Sequence, residues 1–263
     1  MPRSCRIISR MSLAIETNGL TRCFGDLRAV DDLNLSVEAG TFYGFLGPNG
    51  AGKTTTIKML TGLLTPSRGT MRILGEDMTD ENKARDIKLR IGVVPEESAL
   101  FDNLTAREYL IFVGRMYQLS IATVQDRCEE LLVMMNLENE DKKLTLEYSH
   151  GMKKKLAFAA ALIPNPDLLF LDEPFEGVDA VSSRIFRDTL KRCVARGATV
   201  FLTSHVLEIV EKLCTDVGII NRGKLVYQST MDKIRQSGSL EERFLETVGD
   251  NRVERQKLSW LEE

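Results

Sequence analysis

The chain alternates short, nearly continuous apolar runs with longer segments whose apolar residues recur every three or four positions. TFYGFL (41–46), IGVV (91–94), LLFL (168–171), ATVFLT (198–203) and VGII (217–220) are of the first kind and have the length of strands buried on both faces. A strand at about 14–18 and a shorter one, MRIL at 71–74, join this set. KTTTIKMLTGL, which follows TFYGFL after a glycine-rich interval, has helical spacing, so this region reads strand, loop, helix. From Thr105 onward the pattern is helical. Thr105 and Glu108 have the spacing of a capping box, and Tyr109, Leu110, Phe112, Val113, Met116 and Tyr117 make one apolar face. Two more helices are expected near 123–136 and 150–163, where Pro164 and Pro166 stop the block because proline cannot donate within a helix and restricts the residue before it.

After LLFL the alternation resumes, with helices at 181–195 and 205–213 separating the last apolar runs. Repeated strand-helix-strand units of this kind form a mainly parallel sheet with helices on both faces, and the block between IGVV and LLFL is then an insertion. NRG (221–223) offers a tight turn with glycine in a left-handed position and joins VGII to KLVYQ as an antiparallel hairpin. Near the end of the chain, Ser239 and Glu242 can form another capping box. Leu240, Phe244, Leu245 and Val248 would line one face of the helix it starts, a face expected to pack on the core.

Composition narrows the class without fixing it. In 263 residues, 43% are hydrophobic and 28% charged, enough to bury a sizeable core as one large domain or two small ones. The net charge of -3 supplies no basic field for a nucleic-acid backbone, so a polyanion would need a local site. The five cysteines are scattered, without a C-x-x-C pair, which argues against zinc and a disulfide framework and fits a reducing cytoplasm. The apolar run that contains AFAAALI at 157–163 is too short to span a bilayer. Residues 1–12 carry Arg3, Arg6 and Arg10 but lack the apolar stretch of a secretory signal, and are expected to form a ragged tail.

The chemistry concentrates at two places. GPNGAGKTT (47–55) satisfies G-x-x-x-x-G-K-[ST] straight after an apolar strand and at a helix start. Glycines there let successive backbone N–H groups curl around phosphate oxygens, and the helix dipole favours the anion. Gly47, Pro48, Asn49, Gly50, Ala51, Gly52, Lys53, Thr54 and Thr55 are thus nucleotide-binding candidates. Lys53 would reach the β- and γ-phosphates and Thr54 would hold Mg²⁺. LLFLDEP (168–174) supplies the second element: Asp172 at the strand's end to face the metal, then Glu173 to orient or deprotonate water. No N-K-x-D guanine-reading motif is present. The fold class expected is α/β, a P-loop NTPase core with a mainly parallel sheet, an antiparallel β edge and an inserted helical subdomain.

With these two motifs in this order, the sequence resembles the ATP-binding cassette (ABC) ATPases from about residue 13 to 248. The resemblance implies a cassette domain at 13–238 with its helical subdomain at about 97–165, followed by a helical extension at 239–263. YSHGM (148–152) resembles the family's signature motif, most often LSGGQ. In the family two cassettes meet head to tail, and the signature serine and glycine of one contact the γ-phosphate held by the other. That role falls here on Ser149 and Gly151, and a Ser-x-Gly corner at a helix start suits an anion. The lysines at 153–155 stand where the helix dipole disfavours cations; they are either answered by a nearby anion or a solvated run.

Other positions carry over one at a time. Phe24 resembles the aromatic that stacks on adenine, with a core phenylalanine as the alternative. His205, in LTSH, resembles the switch histidine that contacts the γ-phosphate. Asp179, in EGVDA, resembles the D-loop aspartate, though helix capping explains it nearly as well. Glu96, in VVPEES, occupies the place of the Q-loop glutamine, a substitution that puts the loop's metal-sensing role in question. Glu173, His205 and Lys53 are the catalytic candidates, and Thr54, Asp172 and Glu96 the metal-facing ones.

The resemblance implies an ATP- and Mg²⁺-dependent hydrolase at the cytoplasmic face of a membrane. It would pair with a second ATPase subunit, identical or different, and drive a separately encoded membrane-spanning permease. S-x-G-M followed by basic residues resembles the ABC-2-type exporters. No nucleic-acid partner is expected. The rival is a soluble ABC ATPase acting on a macromolecular complex in translation, DNA repair or cofactor assembly. Against it stand a single P-loop and a short interval between Lys53 and Ser149, without a coiled-coil or zinc insertion.

Overall fold

A computed structural model describes residues 13–97, 99–140 and 142–249. The expected tail at 1–12 and the last part of the C-terminal extension, 250–263, lie outside the described residues. The chain opens with β1 (Leu13–Phe24), β2 (Leu27–Leu33) and β3 (Ser36–Glu38), then enters β4 (Phe42–Leu46) and α1 (Lys53–Leu60). β5 (Arg68–Ile73), β6 (Glu76–Asp77), α2 (Glu81–Lys88) and β7 (Ile91–Val94) follow. The helical block is α3 (Ala106–Met116), α4 (Ile121–Met134) and α5 (His150–Leu162). β8 (Leu168–Asp172), α6 (Ala180–Ala195), β9 (Thr199–Ser204), α7 (Leu207–Leu213), β10 (Asp216–Asn221), β11 (Lys224–Thr230), α8 (Met231–Ser237) and α9 (Leu240–Val248) complete it.

Six strands form the central sheet in the order β11-β10-β4-β9-β8-β7, parallel except for the antiparallel edge strand β11. Every residue of β4, β8 and β9 is buried, which is why these strands read as unbroken apolar runs. Alternate side chains serve two cores. Tyr43, Phe45, Phe170 and Phe201 face one side, where the Tyr43 and Phe201 rings stack with centroids 5.5 Å apart. Phe42, Leu46, Leu169, Leu171, Val200 and Leu202 face the other, beneath the helices.

The antiparallel part is more than an edge. β2, β1, β5 and β6, with β3 paired to β1, make a separate sheet covering the aromatic face of the central one. β2 and β3 escape the sequence reading because their apolar residues are spaced through polar ones (LRAVDDL, SVE), the pattern of strands with one wet face. α2 escapes it because ENKARDIK buries only Ile87. Both capping boxes form, at Thr105 with Glu108 and at Ser239 with Glu242. α9 packs on the core through Leu240, Phe244 and Val248, whereas Leu245, expected on the same face, is 59% exposed. Among the described residues no helix is long and apolar enough to cross a membrane.

Candidate functional site

Three neighbouring strands of the central sheet end at the same edge. In their register Leu46 lies beside Ser204, and Asp172 beside Thr203, so the segments that follow β4, β9 and β8 start side by side. Strands are spaced about 4.8 Å apart, which puts the outer two of these three roughly 10 Å from each other. This edge, the carboxyl ends of parallel strands, is where open α/β sheets place ligands.

The loop after β4 is shaped by a glycine with a necessity. Gly52 has φ +107°, and a Cβ there would lie 2.4 Å from the Ala29 carbonyl oxygen. Both facts exclude a side chain. Gly52 also caps α1 without a side-chain hydrogen bond, so the first-turn N–H groups have no competing acceptor from a capping residue. The turn between β10 and β11 braces the loop: Gly223 N donates to Ala51 O, and Asp31 N donates to Gly223 O, both at 2.9 Å. Lys53 is buried, and its Nζ donates to the carbonyl oxygens of Gly47 at 2.8 Å and Pro48 at 3.4 Å.

Opposite the lysine stands Glu173, buried and with φ +46°, a conformation that costs a residue bearing a Cβ about 1–2 kcal/mol. Its carboxylate is split between two neighbours. Oε2 accepts from His205 N at 3.3 Å and lies 3.1 Å from His205 Nδ1, whereas Oε1 lies 3.7 Å from Lys53 Nζ and makes no hydrogen bond among the described residues. The Thr203 hydroxyl locks the strand end, donating to Asp172 Oδ1 and accepting from Glu173 N. Glu96 is exposed, and the Thr54 hydroxyl donates to its Oε2 at 3.1 Å.

These groups share one cavity of about 610 Å³. Residues 49–55, Glu96, Glu173 and His205 line it together with Phe24, whose ring centre lies 4.7 Å from the Arg22 guanidinium. Phe24 is 47% exposed, so it is not a core residue. Gly47, Pro48 and Asp172 do not line the cavity. Arg28, Glu176 and Arg222 also line the cavity and were not foreseen. Glu176, three residues past Glu173, had a signal in its spacing; the two arginines sit on a strand and a turn that only the fold brings near.

Ser149 and Gly151 are not part of this cavity. Ser149 caps α5, its Oγ accepting from Met152 N at 3.3 Å. Asp179 caps α6 through Ser182, whose hydroxyl and amide hold the Asp179 carboxyl below its usual range. The lysine run at 153–155 is not uniformly solvated: Lys154 is buried, with Nζ donating to the Glu173 carbonyl oxygen. Helical period gives the reason, since Lys154 shares its face with Phe158 and Ala161.

A glycine-rich anion loop, a buried lysine and a glutamate beside a histidine at the end of a parallel sheet define a P-loop nucleotide hydrolase. Comparisons with known proteins place it more closely. Residues 30–176 match the family model described as ABC transporter. The chain is 39% identical over 224 residues to the daunorubicin/doxorubicin resistance ATP-binding protein DrrA of Streptomyces peucetius, spanning 85% of this chain and 67% of that one. It is 38% identical over 223 residues to the Nod factor export ATP-binding protein I of Burkholderia lata, spanning 85% and 73%. Among solved structures, an ATP-binding subunit of an ABC transporter superposes with a TM-score of 0.83 at 30% identity, covering 90% of this chain and 99% of that one. The chain belongs to the ABC transporter family and is an ATP-binding, ATP-hydrolysing subunit. The rival reading, a soluble cassette acting on a macromolecular complex, receives no support from these relatives.

Proposed function

We propose that this ATPase serves an exporter of the ABC-2 type, pairing with a second ATPase subunit around two ATP molecules and driving a separately encoded membrane-spanning permease. The observation that carries the pairing is Gly151. Among the described residues nothing requires a glycine there: a Cβ would meet only the Gly177 carbonyl oxygen, at an ordinary 3.5 Å. Ser149 and Gly151 also lie outside their own chain's nucleotide cavity. A small residue beside a capped helix start, with no internal demand for smallness, fits close approach by the nucleotide of a second subunit.

Within each cavity the roles follow the geometry. The N–H groups of the 47–55 loop cradle the phosphates, Lys53 leaves its carbonyl partners for the β- and γ-phosphates, and Phe24 offers a ring face to adenine. The oxygens of Thr54 and Glu96 in the cavity lining, with Asp172 outside that lining, would hold Mg²⁺, a hard cation that keeps several waters and binds one or two carboxylates beside the oxygens of phosphate. Bound there, it would neutralise charge on the β- and γ-phosphates. The adjacency of Thr54 and Glu96 suits that fit, and Oε1 of Glu173, which makes no hydrogen bond among the described residues and faces Lys53 at 3.7 Å, would accept a proton from attacking water once Lys53 turns to the phosphates. His205 holds the other oxygen of Glu173 and turns toward the γ-phosphate.

The helical segment at 97–165, inserted in a cassette spanning 13–238, is the docking surface in this reading. An apolar groove of about 180 Å³ runs between β7 and the helices, lined by Val93, Pro95, Tyr109, Val113 and Ala160 among others. Beside it Phe101, Phe112 and Met116 are exposed, as an apolar partner requires. The subunit then sits peripherally on the cytoplasmic face of the membrane. Size-exclusion chromatography of the Glu173→Gln chain with Mg-ATP tests the pairing: a dimer is expected, and a persistent monomer would overturn it. Co-purification from membranes with a membrane-spanning permease tests the partner.

A further inference from the structure

Lys154 is a charge that the site as described does not use. It is 1% exposed in the second turn of α5, the helix capped by Ser149, and its Nζ donates to the carbonyl oxygen of Glu173 at 3.2 Å. An ammonium is a poor choice for such a place on stability grounds alone, because burial penalises charge and an apolar side chain of similar length would fill the volume without that penalty. Burial pushes the Lys154 ammonium below the ordinary lysine range, and the carboxylates of Glu176, Asp172, Glu96 and Glu173 pull it back. The one hydrogen bond that the lysine's Nζ makes among the described residues thus goes to a carbonyl oxygen of the segment that carries Glu173.

The oxygen it holds belongs to the peptide that aims Glu173. That residue has φ +46°, and Glu176 N donates to the same oxygen at 3.3 Å. Two donors on one carbonyl fix the plane of the peptide and so the direction in which a strained residue projects its side chain. The first turn of α5 presses on the same segment. A Cβ on Gly177 would lie 2.6 Å from His150 Cδ2, which shows how closely the imidazole covers that turn.

We propose that Lys154 is a positioning residue for Glu173, tying the aim of the carboxylate to the position of α5. The proposal rests on the reading of Glu173 as the water-activating group and of Ser149 and Gly151 as the contact to a second subunit's nucleotide. A shift of α5 when Ser149 and Gly151 engage an anion is then passed to the Glu173 peptide of the same chain through one side chain.

The test compares Lys154→Met, which keeps length and loses charge, with Lys154→Arg, which keeps charge and donors, in the full chain with Mg-ATP. The Met variant should lose between about 10- and 100-fold in kcat, the scale of a misplaced catalytic group, with KM for ATP and Tm essentially unchanged. The Arg variant should recover most of the loss. In a Glu173→Gln background, Lys154→Met should add no further loss, because the group it aims is already gone. Unchanged kcat in Lys154→Met would overturn the proposal. So would a parallel fall of Tm and ATP affinity, which marks a purely structural role, or a full additional loss on top of Glu173→Gln. If Lys154→Met does not fold, Lys154→Gln, polar and uncharged, takes the same comparison. Full turnover in Glu173→Gln alone would instead remove the reading of Glu173 on which the proposal rests.

Discussion

The ends of β4, β8 and β9 deliver Lys53, Glu173 and His205 into one cavity of their own chain, whereas the first turn of α5 presents Ser149 and Gly151 outside it. The two regions are positioned by different physics. Strand ends are fixed by hydrogen-bonded register, so three residues far apart in sequence meet within a few ångströms. α5 is placed by packing, through Leu156, Ala157, Phe158 and the alanines that follow, while Ser149 and His150 at its N-terminal end stay exposed. In the proposed reading the first region holds the phosphates of its own nucleotide and the second completes the site of a partner subunit. Between them runs the buried contact of Lys154 with Glu173.

The sharpest way to break this contrast is to disable each region in a different copy. Lys53→Ala and Ser149→Arg chains should each lose essentially all ATPase activity, and mixing them should restore a part, because the mixed dimer holds one intact composite site. If mixing restores nothing while ATP still assembles the dimer, Ser149 does not act on the partner's nucleotide. Glu173→Gln, within the first region, should keep ATP binding and lose about 10²-fold or more in hydrolysis, the scale of a missing general base. Normal turnover would take Glu173 out of the chemistry.

A smaller effect is expected at Glu96. Its carboxylate is exposed beside Thr54, so screening limits its influence, and Glu96→Gln should raise the Mg²⁺ needed for half-maximal activity by roughly two- to tenfold. A Mg²⁺ titration that is unchanged or shifted the other way would show that Glu96 does not face the metal. The smallest effect belongs to the helical region. Thr105→Ala removes the cap of α3 and should lower Tm by about 2–4 °C with ATP hydrolysis untouched. The Thr105 amide and hydroxyl hold the Glu108 carboxyl below its usual range. A depressed carboxylate pKa stabilises above the unfolded value and ceases to as pH falls through the folded one. The part of the Tm difference carried by the bond from the Thr105 hydroxyl to the Glu108 carboxylate should therefore shrink as pH falls through the acid range, while the part carried by the Thr105 cap on the Glu108 amide persists.

Much of this was written in the order of residues. The apolar runs of β4, β7, β8, β9 and β10 and the caps of α3 and α9 need only local chemistry, because strands buried on both faces and helix starts leave a pattern within a few positions. GPNGAGKTT and LLFLDEP likewise carried their reading in spacing alone. The second sheet did not, since β2 and β3 are short and half polar and become strands only when β1 supplies their partners. What sequence by itself determined is the class of chemistry: an anion loop, a carboxylate pair after an apolar strand, and a Ser-x-Gly corner. Only the tertiary structure decided which residues share a cavity, that Arg28, Glu176 and Arg222 belong to it, and that Lys154 is buried while the lysines beside it are not. Spacing along a chain constrains one element at a time, whereas burial and convergence are set by where elements pack, a property of pairs of segments far apart in sequence.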